Sequence, residues 1–221
     1  MNKQEIMKLI DYTLLRADAS EEDVRTFCAE ALTYQPMAVC VHGGNLPLVA
    51  ELLEGSGIRP ATVAGFPYGA QPTTVKVFEA MQAVNDGAEE LDIVMDIGAA
   101  KSSNWEKVYE DIKAVKDVCK DRMVLKVIFE TCLLTEAEKI KACEVCVAAG
   151  VDFVKTSTGF STGGATVEDV ALMRKTVGPE VGVKAAGGIR DLQSLLAMVE
   201  AGATRIGTSA IKTIVAALDA Q

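Results

Sequence analysis

Two segments each place a lysine among small and apolar residues: Asp152-Phe153-Val154-Lys155-Thr156-Ser157-Thr158 and Gly182-Val183-Lys184-Ala185-Ala186-Gly187-Gly188. Both read as short strands. As neighbours in one parallel sheet, with strands about 4.8 Å apart, they would bring the two ammonium groups close together. Repulsion and desolvation each lower a lysine pKa from its reference of about 10.4, so one of the pair would readily lose its proton. A neutral amine in that setting attacks carbonyl carbon, and the chemistry this predicts is Schiff-base formation.

Such a pair needs a scaffold, and the chain is patterned for one. Eight short apolar segments alternate with helical patterns: Ile10 to Leu14, Ala38 to Val41, Ala61 to Phe66, Leu91 to Met95, Val124 to Phe129, Phe153 to Thr156, Gly182 to Ala185 and Arg205 to Gly207. They recur roughly every 30 residues, the length of one strand-helix unit of an eightfold barrel. Helix starts carry Ser20 with Asp23, Thr135 with Glu138 and Thr166 with Asp169, while Gly87, Gly150 and Gly202 precede the next strand. A doubly wound sheet shares the alternation, but no G-x-G-x-x-G follows the first strand. The expected fold is therefore an α/β single (β/α)8 TIM barrel, one domain over residues 1–221.

Period-2 alternation places Asp11 with Thr13, Asp92 with Val94 and Asp96, Lys126 with Ile128 and Glu130, Lys155 with Phe153 and Ser157, and Lys184 with Gly182 and Ala186. The larger apolar faces should meet the helices, so the charged positions point into the barrel. Structural pairing explains one buried Asp-Lys couple. Three lysines and two aspartates on five strands point instead to a functional site, because apolar residues of equal volume stabilise a core as well or better.

A second site is written in glycine. Gly187, Gly188 and Arg190 follow the seventh strand, and Gly207 and Ser209 the eighth, where this fold usually seats phosphate on backbone N–H groups. Thr158, in a hydroxyl-rich loop after Lys155, is a further substrate contact. His42, the one histidine, reads as an ordinary polar contact at the end of the second strand.

The 221 residues carry 49% hydrophobic and only 5% aromatic side chains, so aliphatic residues must fill the core. A net charge of −9 argues against nucleic acid or anionic membrane as partners. No apolar run reaches the roughly 18 residues of a membrane span, and no signal sequence opens the chain, so a cytoplasmic location is expected. Cys143 and Cys146 form a C-x-x-C pair within a helical pattern, without a second pair, and read as core rather than zinc ligands. Cys40 is either open to aldehydes or inert core.

The segments Ile10-Asp11-Tyr12-Thr13-Leu14-Leu15, Gly65-Phe66-Pro67, Lys126 to Thr131, Phe153 to Phe160 and Val183 to Arg190 together resemble the motifs of deoxyribose-phosphate aldolases, a class I, Schiff-base family. The likeness covers nearly the whole chain. It implies that Lys155 forms the imine, that Lys184 depresses its pKa, and that Asp92 is the carboxylate of a proton relay. The implied reaction is reversible cleavage of 2-deoxy-D-ribose 5-phosphate to D-glyceraldehyde 3-phosphate and acetaldehyde, with no metal or other cofactor, in a dimer or tetramer. Asp11, Thr13, Lys126, Thr158, Gly187, Gly188, Arg190, Gly207 and Ser209 would bind substrate. The chain departs from the family at Tyr12, where His is common, at Asp96, where Asn is common, at His42-Gly43-Gly44, and in ending at Leu218-Asp219-Ala220-Gln221 without a terminal tyrosine. Another phosphosugar aldolase or isomerase, or a phosphosugar-binding protein, remains an alternative.

Overall fold

In the computed structural model, which describes residues 1–220, the eight apolar segments are eight parallel strands. They are β1 (Ile10–Leu14), β2 (Ala38–Val41), β3 (Arg59–Ala64), β4 (Glu90–Val94), β5 (Val124–Ile128), β6 (Phe153–Lys155), β7 (Gly182–Ala186) and β8 (Arg205–Thr208). Each pairs with the next, and β8 pairs with β1 to close a barrel. The helices are α1 (Lys3–Met7), α2 (Glu21–Tyr34), α3 (Leu46–Leu52), α4 (Thr73–Asn85), α5 (Ile97–Lys101), α6 (Trp105–Cys119), α7 (Glu136–Ala149), α8 (Val167–Val177), α9 (Leu192–Glu200) and α10 (Ile211–Asp219). Of the terminal segment, Leu218 and Asp219 end α10, and Gln221 lies outside the described residues.

Local signals set most of these boundaries. Ser20 and Thr135 form closed capping boxes with Asp23 and Glu138, each worth about 1 kcal/mol to its helix. Thr166 caps α8 through its hydroxyl alone, because the Asp169 carboxylate turns to Lys139 at 2.5 Å. Gly150 ends α7 in the left-handed conformation, as expected.

Two strands stop earlier than alternation predicts. Asp96 leaves the barrel interior to cap α5, accepting from the Ala99 N–H, and pairs with Lys107 at 2.6 Å. Glu130 takes a left-handed backbone (φ 56°) that turns the chain out of β5.

Strand register explains the interior. Asp92 on β4 sits beside Lys126 on β5, which sits beside Phe153 on β6 and then Gly182 on β7. One layer on, Ile128, Lys155, Lys184 and Arg205 are successive partners. The outward residues, such as Leu91, Ile93, Val127, Val154 and Ile206, join the apolar layer beneath the helices. Inside, β2 and β3 contribute only the small cluster around Ala38, Cys40, Ala61 and Val63. The other strands add charged side chains to the interior, beside apolar ones such as Val94, Ile128 and Phe153.

Glycine makes room for those charges. A Cβ on Gly207 would lie 2.9 Å from Ala186 Cβ and 3.2 Å from Lys184 Cε, so its absence lets Lys184 cross the barrel. A Cβ on Gly182 would fall 2.2 Å from the Phe153 ring, which packs in that space beneath the Arg205 guanidinium, 5.1 Å from the ring centre.

Candidate active site

Three carboxylates and four cations meet inside the barrel: Asp11, Glu90 and Asp92 with Lys126, Lys155, Lys184 and Arg205. Asp92 lies at the centre. Its Oδ1 accepts from Lys126 at 2.8 Å, and its Oδ2 accepts from both Lys155 and Lys184 at 2.7 Å. Lys126 also reaches Glu90 at 2.5 Å, Lys184 pairs with Asp11, and Arg205 bridges Asp11 at 2.7 Å and Glu90 at 2.8 Å. Unpaired buried charge is costly. Cations outnumber carboxylates in this shell even before Arg59, which pairs with Glu90 at 3.0 Å from a more exposed position, so the buried charge favours neutralising a cation.

The network selects which one. Burial lowers the pKa of Lys155; Asp92 opposes this, and the ammonium of Lys184 adds to the lowering. Burial also disfavours charge on Lys184, but Asp11 and Asp92 outweigh it and raise its pKa. Lys126 is likewise raised, burial being overcome by Asp92, Asp11 and Glu90. Asp92 is held well below the ordinary carboxylate range because three lysines overcome its burial. Repulsion between the lysines thus contributes in the direction the sequence implied, with desolvation the larger cause.

A cavity of about 350 Å³ opens above this network at the carboxyl ends of the strands. Thr13, Lys155, Thr158, Gly187, Gly188, Arg190, Gly207 and Ser209 all line it. Asp11, Asp92, Lys126 and Lys184 do not: they are fully buried below its floor, their polar atoms engaged in the ion pairs. The resemblance implies direct substrate contact by Asp11 and Lys126; both lie outside the cavity wall instead, in ion pairs with Lys184 and Asp92 respectively.

The anion-binding side also differs in detail. Gly187 and Gly188 have φ of 86° and 82°, which glycine adopts freely. The first turn of α9 is already capped by the Asp191 carboxylate, whereas α10 has no side-chain cap at Ala210. No side chain caps the first turn of α10, and Ser209 and Arg190 lie on the adjacent cavity wall, an arrangement able to hold an anion.

Sequence reasoning did not single out Glu90, Arg205 or Arg16, and it noted Phe160 only as part of the family resemblance. Glu90 and Arg205 lie two residues before the interior positions Asp92 and Gly207, so period-2 counting carried one step further would have found them. Arg16 and Phe160 line the cavity from loops, where no periodicity operates. His42 is absent from this wall: its Nε2 is 2.9 Å from the Leu15 carbonyl oxygen, and its ring meets Phe66 edge-on. Cys40 is buried inside the barrel, with its thiol pushed up to about 11 by burial. Cys143 and Cys146 are buried core residues of α7.

Known proteins share this architecture over its whole extent. The family described as DeoC/LacD family aldolase matches residues 6–215. Deoxyribose-phosphate aldolases from Geobacillus sp. (strain WCH70) and Alkaliphilus oremlandii (strain OhILAs) are 55% and 53% identical over 210 residues; each match covers 95% of this chain, and 94% and 95% of those proteins respectively. A tetrameric deoxyribose phosphate aldolase from Aeropyrum pernix superposes with a TM-score of 0.90 at 34% identity, covering 97% of this chain and 91% of that one. A closed parallel barrel with a lysine at the floor of its cavity, matched at these identities from end to end, places the protein: the chain belongs to the DeoC/LacD family of aldolases.

Proposed function

We propose that this aldolase reversibly cleaves 2-deoxy-D-ribose 5-phosphate to D-glyceraldehyde 3-phosphate and acetaldehyde through a Schiff base at Lys155. One observation carries the reading. Of the three interior lysines, Lys155 alone lines the cavity, and it alone has a lowered pKa.

Neutral Lys155 attacks C1 of the open-chain aldehyde, and uptake of one proton from water in the cavity with loss of the carbinol oxygen as water gives an iminium. The charge that Lys155 lacked as an amine now sits on the iminium nitrogen, with Asp92 placed to stabilise it. The C3 hydroxyl then gives its proton to water in the cavity, the C2–C3 bond breaks, and its electron pair enters the iminium to leave an enamine on Lys155. Glyceraldehyde 3-phosphate departs. That proton returns from the cavity water to C2 of the enamine, while Asp92 and Lys184 act on Lys155 from beneath the floor, and hydrolysis of the resulting iminium frees acetaldehyde, the amine and a proton. The phosphate is held by Gly187, Gly188, Arg190, Gly207, Ser209 and the start of α10. Thr13 and Thr158 contact the sugar.

The same reading takes residues 1–221 as one barrel domain acting in the cytoplasm. Its support is the family match over 6–215 and the lack, among the described residues, of any helix long and apolar enough to cross a membrane. Assembly with further copies is supported by the tetrameric Aeropyrum pernix relative. The net charge of −9 speaks against nucleic acid as a partner.

The test is a retro-aldol assay on purified protein, reading acetaldehyde release from 2-deoxyribose 5-phosphate with and without EDTA. Release that resists EDTA and is abolished by Lys155→Ala is the expected result. Binding of the sugar phosphate without release would leave only a binding protein.

A further inference from the structure

Glu130 is a buried carboxylate that the mechanism above does not use. It is 2% exposed and, unlike the barrel carboxylates, meets no cationic side chain among the described residues. Its backbone is left-handed, a conformation non-glycine residues seldom adopt, so the local structure holds it there against its preference.

Its partners lie mainly on the loop that follows Lys155. The Thr158 N–H approaches Oε2 at 3.3 Å and Oε1 at 3.4 Å, and the Thr158 hydroxyl donates to Oε2. The Cys132 thiol approaches Oε1 at 4.0 Å. Thr158 itself accepts from the Phe160 N–H at 3.0 Å, and both Thr158 and Phe160 line the cavity with Lys155.

A threonine hydroxyl has one proton and two acceptor lone pairs. The proton of Thr158 is taken by Glu130, and one lone pair is taken by Phe160. What Thr158 has left for the cavity is an acceptor. The geometry points to Glu130 as a positioning residue that fixes the polarity of this wall, so that Thr158 selects a hydroxyl donor on the substrate and turns away carbonyl and phosphate oxygens. This inference rests on the Schiff-base reading of the cavity.

Two measurements test it: KM for 2-deoxyribose 5-phosphate, and labelling of Lys155 by acetaldehyde with borohydride. Acetaldehyde carries no hydroxyl. Thr158→Val and Glu130→Ala should each raise KM about tenfold, the effect of losing one hydrogen bond. The double variant should be no worse than Thr158→Val, because both changes remove the same acceptor. Thr158→Ser should recover most of the affinity lost in Thr158→Val, while acetaldehyde labelling falls at most roughly threefold in every variant. An unchanged KM in Thr158→Val, multiplying effects in the double variant, or labelling that falls in parallel with sugar turnover would each overturn the inference. Should Glu130→Ala fail to fold, the Val and Ser variants at 158 decide alone. A parent protein that takes no label contradicts the Schiff-base reading instead.

Discussion

Lys155 and Lys184 are in-register partners on β6 and β7, and both ammonium nitrogens lie 2.7 Å from one oxygen, Asp92 Oδ2. Their equivalence ends there. Lys184 has a second carboxylate, Asp11, and lies sealed under the cavity; Lys155 has Asp92 alone and reaches the cavity floor. One lysine keeps its proton and the other is free to give it up. On the proposed mechanism, this asymmetry is what allows a cluster of seven buried charges to contain a nucleophile.

Replacing Lys184 by Leu removes a cation that lowers the Lys155 pKa, so that pKa should rise. A smaller fraction of Lys155 is then neutral near pH 7, while near pH 10 the difference shrinks. Because burial is the larger cause of the lowering, imine formation should slow by roughly two- to tenfold at neutral pH and by less in alkali. Borohydride trapping rates across the pH range read this directly; equal slowing at both ends would mean that Lys184 acts by another route.

A second buried pair lies outside the barrel. Lys76 of α4 reaches Asp111 of α6 at 2.6 Å and donates to the Val94 carbonyl oxygen at 2.9 Å, at the end of the strand that carries Asp92. Asp111→Ala leaves that ammonium buried without its counter-ion, which should cost about 3–5 kcal/mol. The double change Lys76→Met with Asp111→Leu should recover most of the loss. Urea unfolding of Lys76→Met, Asp111→Leu and the double variant provides the cycle, and additive losses would show that the pair is not coupled.

Gly182→Ala puts a methyl group into the space held by the Phe153 ring. Overpacking of this kind costs about 1–3 kcal/mol, and Phe153→Leu in the same chain should return part of it. Denaturant midpoints of the single and double variants test the contact. No recovery in the double variant would place the clash elsewhere.

Much of this site could be read from residue spacing, and what could not has physical reasons. Alternation with a period of two put Asp11, Asp92, Lys126, Lys155 and Lys184 on one face, and the register bears that out. It failed at Asp96, where the chain had left the strand to cap α5, since a capping aspartate and an inward one look alike in sequence. It could not rank the lysines either. Whether an ammonium ends at the cavity floor or beneath it depends on its depth along the barrel and on which carboxylates it meets across the core, and those contacts join residues as far apart in sequence as Asp11 and Lys184. The loop residues Arg16 and Phe160 carry no periodic signal at all. The glycines were legible as turns, but the role of Gly207 in admitting Lys184 required the neighbouring strand.

The central claim is tested most directly by borohydride reduction in the presence of 2-deoxyribose 5-phosphate, followed by peptide mass spectrometry. A reduced adduct on the peptide containing Lys155, and its disappearance in Lys155→Ala, is the predicted result. An adduct on Lys126 or Lys184, or none on any lysine while cleavage proceeds, would contradict the account.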